Sequence, residues 1–158
     1  MKHRFENGFT LIEVLVSMVI LSIGLLGMVG MQLTAMQNTQ GGYMRAQASM
    51  MVYDVFDRMR ANTPAVTNGD YDLALNAETP AMPACTGVGA NCSTDQIADF
   101  DLSSWRTIMG IYMPAGNGSV ATVDNGTTTG VTVTVNWIDP YSAEDGAEVL
   151  AMVAELPR

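Results

Sequence analysis

The sequence predicts an α+β protein: one long N-terminal helix, apolar in its first half and amphipathic in its second, packed on a small antiparallel β-sheet. Three observations carry that expectation. Residues 9–31 hold a single charge, Glu13. Between residues 43 and 59 apolar side chains recur at helical spacing. Residues 131–137 alternate strictly between Val or Trp and Thr or Asn, the period of a strand with one buried face.

The first half of the helix runs from Phe9 to Met31. At 1.5 Å rise per residue it reaches about 35 Å, enough to cross a hydrocarbon layer of about 30 Å. Upstream lie only seven residues and Gly8, with Lys2 and Arg4 as cations, so the positive-inside bias predicts a cytoplasmic N-terminus and an extracytoplasmic remainder. Glu13 is the odd residue, because a carboxylate on a membrane span costs a few kcal/mol unless it is neutralised or paired. The next cation down the chain is Arg45, beyond helical reach. Either Glu13 sits at headgroup depth and is solvated there, or another molecule supplies its partner.

A short basic leader ending in Gly8, followed by Phe9-Thr10-Leu11-Ile12-Glu13-Val14-Leu15, resembles the class III signal of type IV pilins and type II secretion pseudopilins. The resemblance implies cleavage by a prepilin peptidase between Gly8 and Phe9, N-methylation of Phe9, and pairing of Glu13 with the N-terminal amine of a neighbouring subunit during fibre assembly. A secretory signal differs, since its apolar region precedes the cut and is discarded. Here the apolar region would be kept.

Within the 158 residues there is room for one membrane segment and one small domain. Removing residues 1–8 would take the net charge from −9 to −10 and leave arginines as the only Lys or Arg cations. So acidic a chain is a poor ligand for nucleic-acid phosphates. The single histidine, His3, is in the leader, and Cys85 and Cys92 alone make no zinc set, so neither an enzyme nor a metal or other cofactor is expected.

Gly24, Gly27 and Gly30 do not make a G-x-x-x-G pair; they are either ordinary membrane-helix glycines or a loosened stretch of helix. After Met31 the composition turns polar, and Gly41-Gly42 is an expected weak point. From Tyr43 to Met59 one apolar stripe reads Ala46, Met50, Tyr53 and Phe56, beside a second of Ala48, Val52, Val55 and Met59. Asn62-Thr63-Pro64 should end the helix. The domain organisation is thus a leader at 1–8, a transmembrane half-helix at 9–31, an amphipathic half-helix at 32–62 and an α+β domain at 63–158.

Cys85 and Cys92 would face an oxidising compartment under this topology, so a disulfide is expected, with a structural role. Ser93 or Thr94 can cap a following short helix whose Ile97, Phe100 or Leu102, Trp105 and Ile108-Met109 face inward, with Arg106 on the surface. Residues 119–123 and 131–137 read as strands linked through Asp124-Asn125-Gly126. Residues 148–156 fit a strand or a helix by periodicity. Asn91, Asn117 and Asn125 begin N-x-S/T triplets, the last two read as Asn-Gly turn chemistry. Asp139, Glu144 and Asp145 form an acidic loop, read as a solvated turn in preference to a calcium site.

Three further pieces sharpen the resemblance. Asp57-Arg58-Met59-Arg60-Ala61-Asn62 is similar to the helix end of minor pilins of the PilV type, the type IV pilus modification proteins. Asp101-Leu102-Ser103-Ser104-Trp105 resembles their Asp-x-x-x-Trp helix, and Met113-Pro114-Ala115-Gly116-Asn117-Gly118-Ser119-Val120 resembles their Leu-Pro-x-Gly-x-Gly-x-Val turn, with Met113 for the usual Leu. This implies a pilin-like fold closed by an antiparallel meander, which makes residues 148–156 a strand. It also implies a non-enzymatic subunit that helps to initiate or cap the type IV pilus and so supports twitching motility and surface attachment. Its partners would be other minor pilins, the major pilin, prepilin peptidase and the inner-membrane assembly platform. The alternatives are an I-type minor pseudopilin of a type II secretion system and a tip adhesin. Its location would be the inner membrane, with the C-terminal domain periplasmic, and then the fibre.

Overall fold

The computed structural model describes residues 9–141 and 146–157; Gly8, Glu144 and Asp145, singled out above, lie outside the described residues. Helix α1 runs Leu11–Ala61 without interruption. Chain contacts divide the molecule into a first unit ending at Gln40 and a second from Gly41 onward.

In the first unit every described residue from Phe9 to Gln40 is exposed, and α1 contains a stretch long and apolar enough to cross a membrane. Its few hydroxyls fold back on the helix itself. Ser17 Oγ donates to the Val14 carbonyl at 2.8 Å, Ser22 Oγ to Met18 at 2.7 Å and Thr39 Oγ1 to Ala35 at 2.8 Å. That arrangement suits an apolar solvent, which offers such groups no partner. A Cβ on Gly24, Gly27 or Gly30 would meet nothing within 4 Å, so no packing within the chain calls for these glycines.

The second unit holds the core. Its buried α1 face is Met44, Ala48, Met51, Val52, Val55, Phe56 and Met59. This confirms the second predicted stripe and corrects the first: of Ala46, Met50, Tyr53 and Phe56, only Phe56 is buried, and Met50 and Tyr53 are 62% and 55% exposed. The two stripes diverge around the helix, and packing chose the one that continues through Met44 and Met51. At Gly41 a Cβ would come 2.8 Å from Asp139 Oδ2, so the bare glycine lets that carboxylate close on α1. The helix continues through the glycine pair.

Helix α2 (Thr63–Asn68) starts immediately after α1, separated from it by Asn62 alone, with Pro64 in its first turn, where a missing N–H costs nothing. Helix α3 (Thr94–Tyr112) is 19 residues, longer than expected, and Ser93 caps it through a capping box with Gln96. Its inward face is Ala98, Leu102, Trp105 and Met109, while Ile97 is exposed. Strands β1 (Asn117–Asp124), β2 (Thr128–Ile138) and β3 (Ala147–Pro157) form an antiparallel meander in the order β1-β2-β3. Val131, Val133, Val135 and Trp137 point into the core as the alternation predicted. Burying each contributes about 1.5–3 kcal/mol by removing apolar surface from water. Asn125-Gly126 makes the β1–β2 turn, whereas Asn117 opens β1 and its Nδ2 donates to the Leu75 carbonyl at 2.9 Å.

Candidate functional site

At the start of α1, Phe9 and Thr10 precede the helix and the Thr10 carbonyl accepts from Glu13 N at 3.1 Å. Glu13 therefore lies in the first turn, where the exposed N–H groups favour a negative charge. Its side chain is exposed and has no ion pair among the described residues. Glu13 is a carboxylate presented outward, one turn from Phe9, on an otherwise apolar half-helix.

The residues after Val55 do something different. Arg58 donates from Nε to Asp54 Oδ2 at 3.0 Å and from Nη1 to Asp101 Oδ1 at 3.3 Å, tying the end of α1 to α3. Tyr71 Oη donates to the other Asp101 oxygen at 2.7 Å. Asn62 Nδ2 donates to the Thr94 carbonyl at 2.8 Å and reaches Tyr71 Oη at 3.4 Å. Trp105 Nε1 donates to the Met51 carbonyl at 2.8 Å. Arg58 and Asn62 thus meet Asp101 and Tyr71 in one partly buried polar network, while Trp105 ties α3 to α1 separately through Met51. Burial and the bond to Asp101 push the Tyr71 hydroxyl well above the usual tyrosine range. A shallow groove beside Arg58, Asn62, Thr94 and Asp101 is lined by groups already bonded to one another.

Arg106 corrects the expectation of a surface residue: it is 7% exposed. Its guanidinium donates to the carbonyls of Ala74 (2.6 Å), Ala77 (2.6 Å), Leu75 (3.3 Å) and Gly118 (2.8 and 3.1 Å). Burial lowers its pKa. The residue clamps the 74–77 loop to β1. Leu102, Arg106 and Met109 share one face of α3, but a cation on an apolar stripe reads first as a surface residue, so its burial was not legible from spacing. Tyr71 and Asp72 carried no such signal. Asp72 Oδ1 accepts from Thr122 N at 2.7 Å and Thr122 Oγ1 at 2.8 Å.

The glycine turn has a packing cause. A Cβ on Gly118 would run into the Trp105 ring and lie 2.8 Å from Met109 Cε. Cys85 and Cys92 form the expected disulfide, with Cα atoms 5.8 Å apart. Asp139 is buried, and its Oδ1 accepts from Tyr141 N at 2.9 Å, closing a turn on itself. Among the described residues no group of three His, Cys, Asp or Glu side chains converges.

Residues 3–29 match the model of the prokaryotic N-terminal methylation motif. Residues 30–103 match the model of Tt1218-like type IV pilins. No curated protein and no solved structure matches the chain. The two family matches abut and together cover residues 3–103, so over this stretch the chain is similar to type IV pilins and carries the methylation motif, in keeping with the observed order of long apolar helix and small antiparallel sheet.

Proposed function

We propose that the protein is a minor pilin of the PilV type that takes part in initiating or capping the type IV pilus, and so supports twitching motility and surface attachment. Prepilin peptidase cuts between Gly8 and Phe9 and methylates Phe9. Residues 9–31 then hold the subunit in the inner membrane, with the N-terminus cytoplasmic, while the amphipathic half-helix 32–62 carries the 63–158 domain in the periplasm. On assembly the subunit leaves the membrane for the fibre, among other minor pilins and the major pilin.

The observation that carries this reading is Glu13: the one charge on an exposed apolar stretch, in the first helical turn, with no ion pair among the described residues. In apolar surroundings a neighbour's new N-terminal amine would neutralise it and set the register of the two helices. The segment Arg58-Met59-Arg60-Ala61-Asn62 and its Asp101–Trp105 counterpart favour the PilV type. Mass spectrometry of the mature N-terminus, with pilus counts in a strain lacking the gene, tests it. An N-methylated Phe9 and few pili are expected; an intact Met1 would refute the processing.

A further inference from the structure

The two edges of the β-sheet are finished differently. The outer side of β1 is closed by its own chain: Leu73 and Val120 exchange backbone hydrogen bonds at 2.9 and 3.0 Å, and Thr122 N is held by Asp72. β3 pairs with β2 over all 11 of its residues. On its other side, no backbone partner for β3 occurs among the described residues.

That edge is protected only near its two ends, by Glu148, which pairs with Arg45 at 3.0 Å, and by the exposed Glu155. β3 has no lysine, its register is unbroken by a bulge, and its only proline is the last residue, Pro157. Soluble proteins blunt a long flat edge with such features, because an open row of N–H and C=O groups templates another strand. The side chains point the same way. Core-facing residues of β2 are fully buried, yet Leu150, Met152 and Ala154 on β3 pack against the core only half-buried. On the other face Val149 and Val153 are 58% and 73% exposed. One more strand would finish both faces.

We infer that the β3 edge receives an extended β segment from a second, non-identical subunit of the same fibre, with apolar residues alternating along it. This rests on the pilin reading above. A second copy does not fit. Antiparallel self-pairing needs a two-fold axis normal to the sheet, which runs the α1 segments packed in the two domains in opposite directions, whereas subunits of one fibre share a direction. Parallel self-pairing puts the second α1 on the opposite face, so the buried face would not continue across the joint. Head-to-tail pairing would require an open β1 edge, and that edge is closed. Glu155, exposed on β3, calls for a cation on the incoming segment.

A photo-crosslinking residue at Val153 of the full chain, in cells that assemble the fibre, tests this, with the exposed loop position Val88 as control. The design adds Ala151→Pro and Met152→Pro. One of these two removes a β2 ladder bond and destabilises the domain, whereas the other removes only an outward N–H. The expected result is an adduct with an extended apolar segment of a different subunit, about tenfold above the Val88 control and lost in the stable proline variant. An adduct with a second copy, an adduct that survives both prolines, or no adduct above the control would overturn it. If the chain still co-purifies with pilins in that case, only the strand addition has failed; if Phe9 is unprocessed and co-purification is also lost, the pilin reading fails with it.

Discussion

Replacing Arg106 by Met would keep an unbranched stem as far as the position of Nε and remove every donor, leaving carbonyls of Ala74, Ala77 and Gly118 to find other partners. Breaking so buried a charged contact costs about 3 kcal/mol or more. Arg106→Met, and Arg106→Lys as well, should therefore show that loss in urea denaturation of the detergent-solubilised chain, since a point-like ammonium does not match the fan of carbonyls. Tyr71 makes a second test through pH. Its hydroxyl is held in the neutral form by burial and by Asp101, so the folded pKa lies above the unfolded value of about 10. The contribution is complete below pH about 10 and is lost as pH rises further, toward the folded pKa. Tyr71→Phe should cost about 1–2 kcal/mol at neutral pH and flatten the loss of stability above pH about 10, read from urea midpoints. Glu13→Ala belongs to the same scale but to a different outcome: insertion and processing unchanged, incorporation into fibres reduced. Fibre immunoblots against membrane fractions would show it, and normal piliation would contradict the role given to Glu13.

Among the elements, the Cys85–Cys92 clip closes a short loop just before the Ser93 cap of α3. On the chain-entropy account it contributes about 2.5 kcal/mol. Neither cysteine belongs to the core cluster, so Cys85→Ser with Cys92→Ser should lower the denaturation midpoint by that order while near-ultraviolet circular dichroism stays native. The apolar half of α1 behaves in the opposite way. Gly24, Gly27 and Gly30 have open space where a Cβ would go, so each Gly→Ala should favour the helix by about 1 kcal/mol. If the fibre needs this stretch loosened, the triple alanine variant would be more helical in detergent yet incorporate less well.

The whole molecule is two units with different surface chemistry. The first has no buried residue among those described, and the second contains every member of the hydrophobic core. A chain beginning at Gly41 should accordingly stay folded and monomeric without detergent, with the melting temperature of the full chain's domain, as checked by calorimetry and light scattering. The full chain should precipitate once detergent is removed. Glu13 has no task in the second unit, and Arg106 has none in the first.

Patterns that repeat along the chain were readable before any fold was known. The apolar stretch with its lone Glu13, the alternation of Val131 to Trp137 and a helix start at Ser93 or Thr94 each follow from local spacing, because helix and strand periodicity are properties of neighbouring residues, while the Cys85–Cys92 disulfide followed from the oxidising compartment that the expected topology implies. Which of two apolar stripes of α1 would be buried was not local: Phe56 entered the core while Met50 and Tyr53 stayed outside, a choice made by where α3 and the sheet pack. Arg106 and Tyr71 were hidden for the same reason. Their partners lie about 12 to 32 residues away in sequence, and a buried cation or hydroxyl becomes favourable only when distant backbone and carboxylate oxygens arrive to meet it.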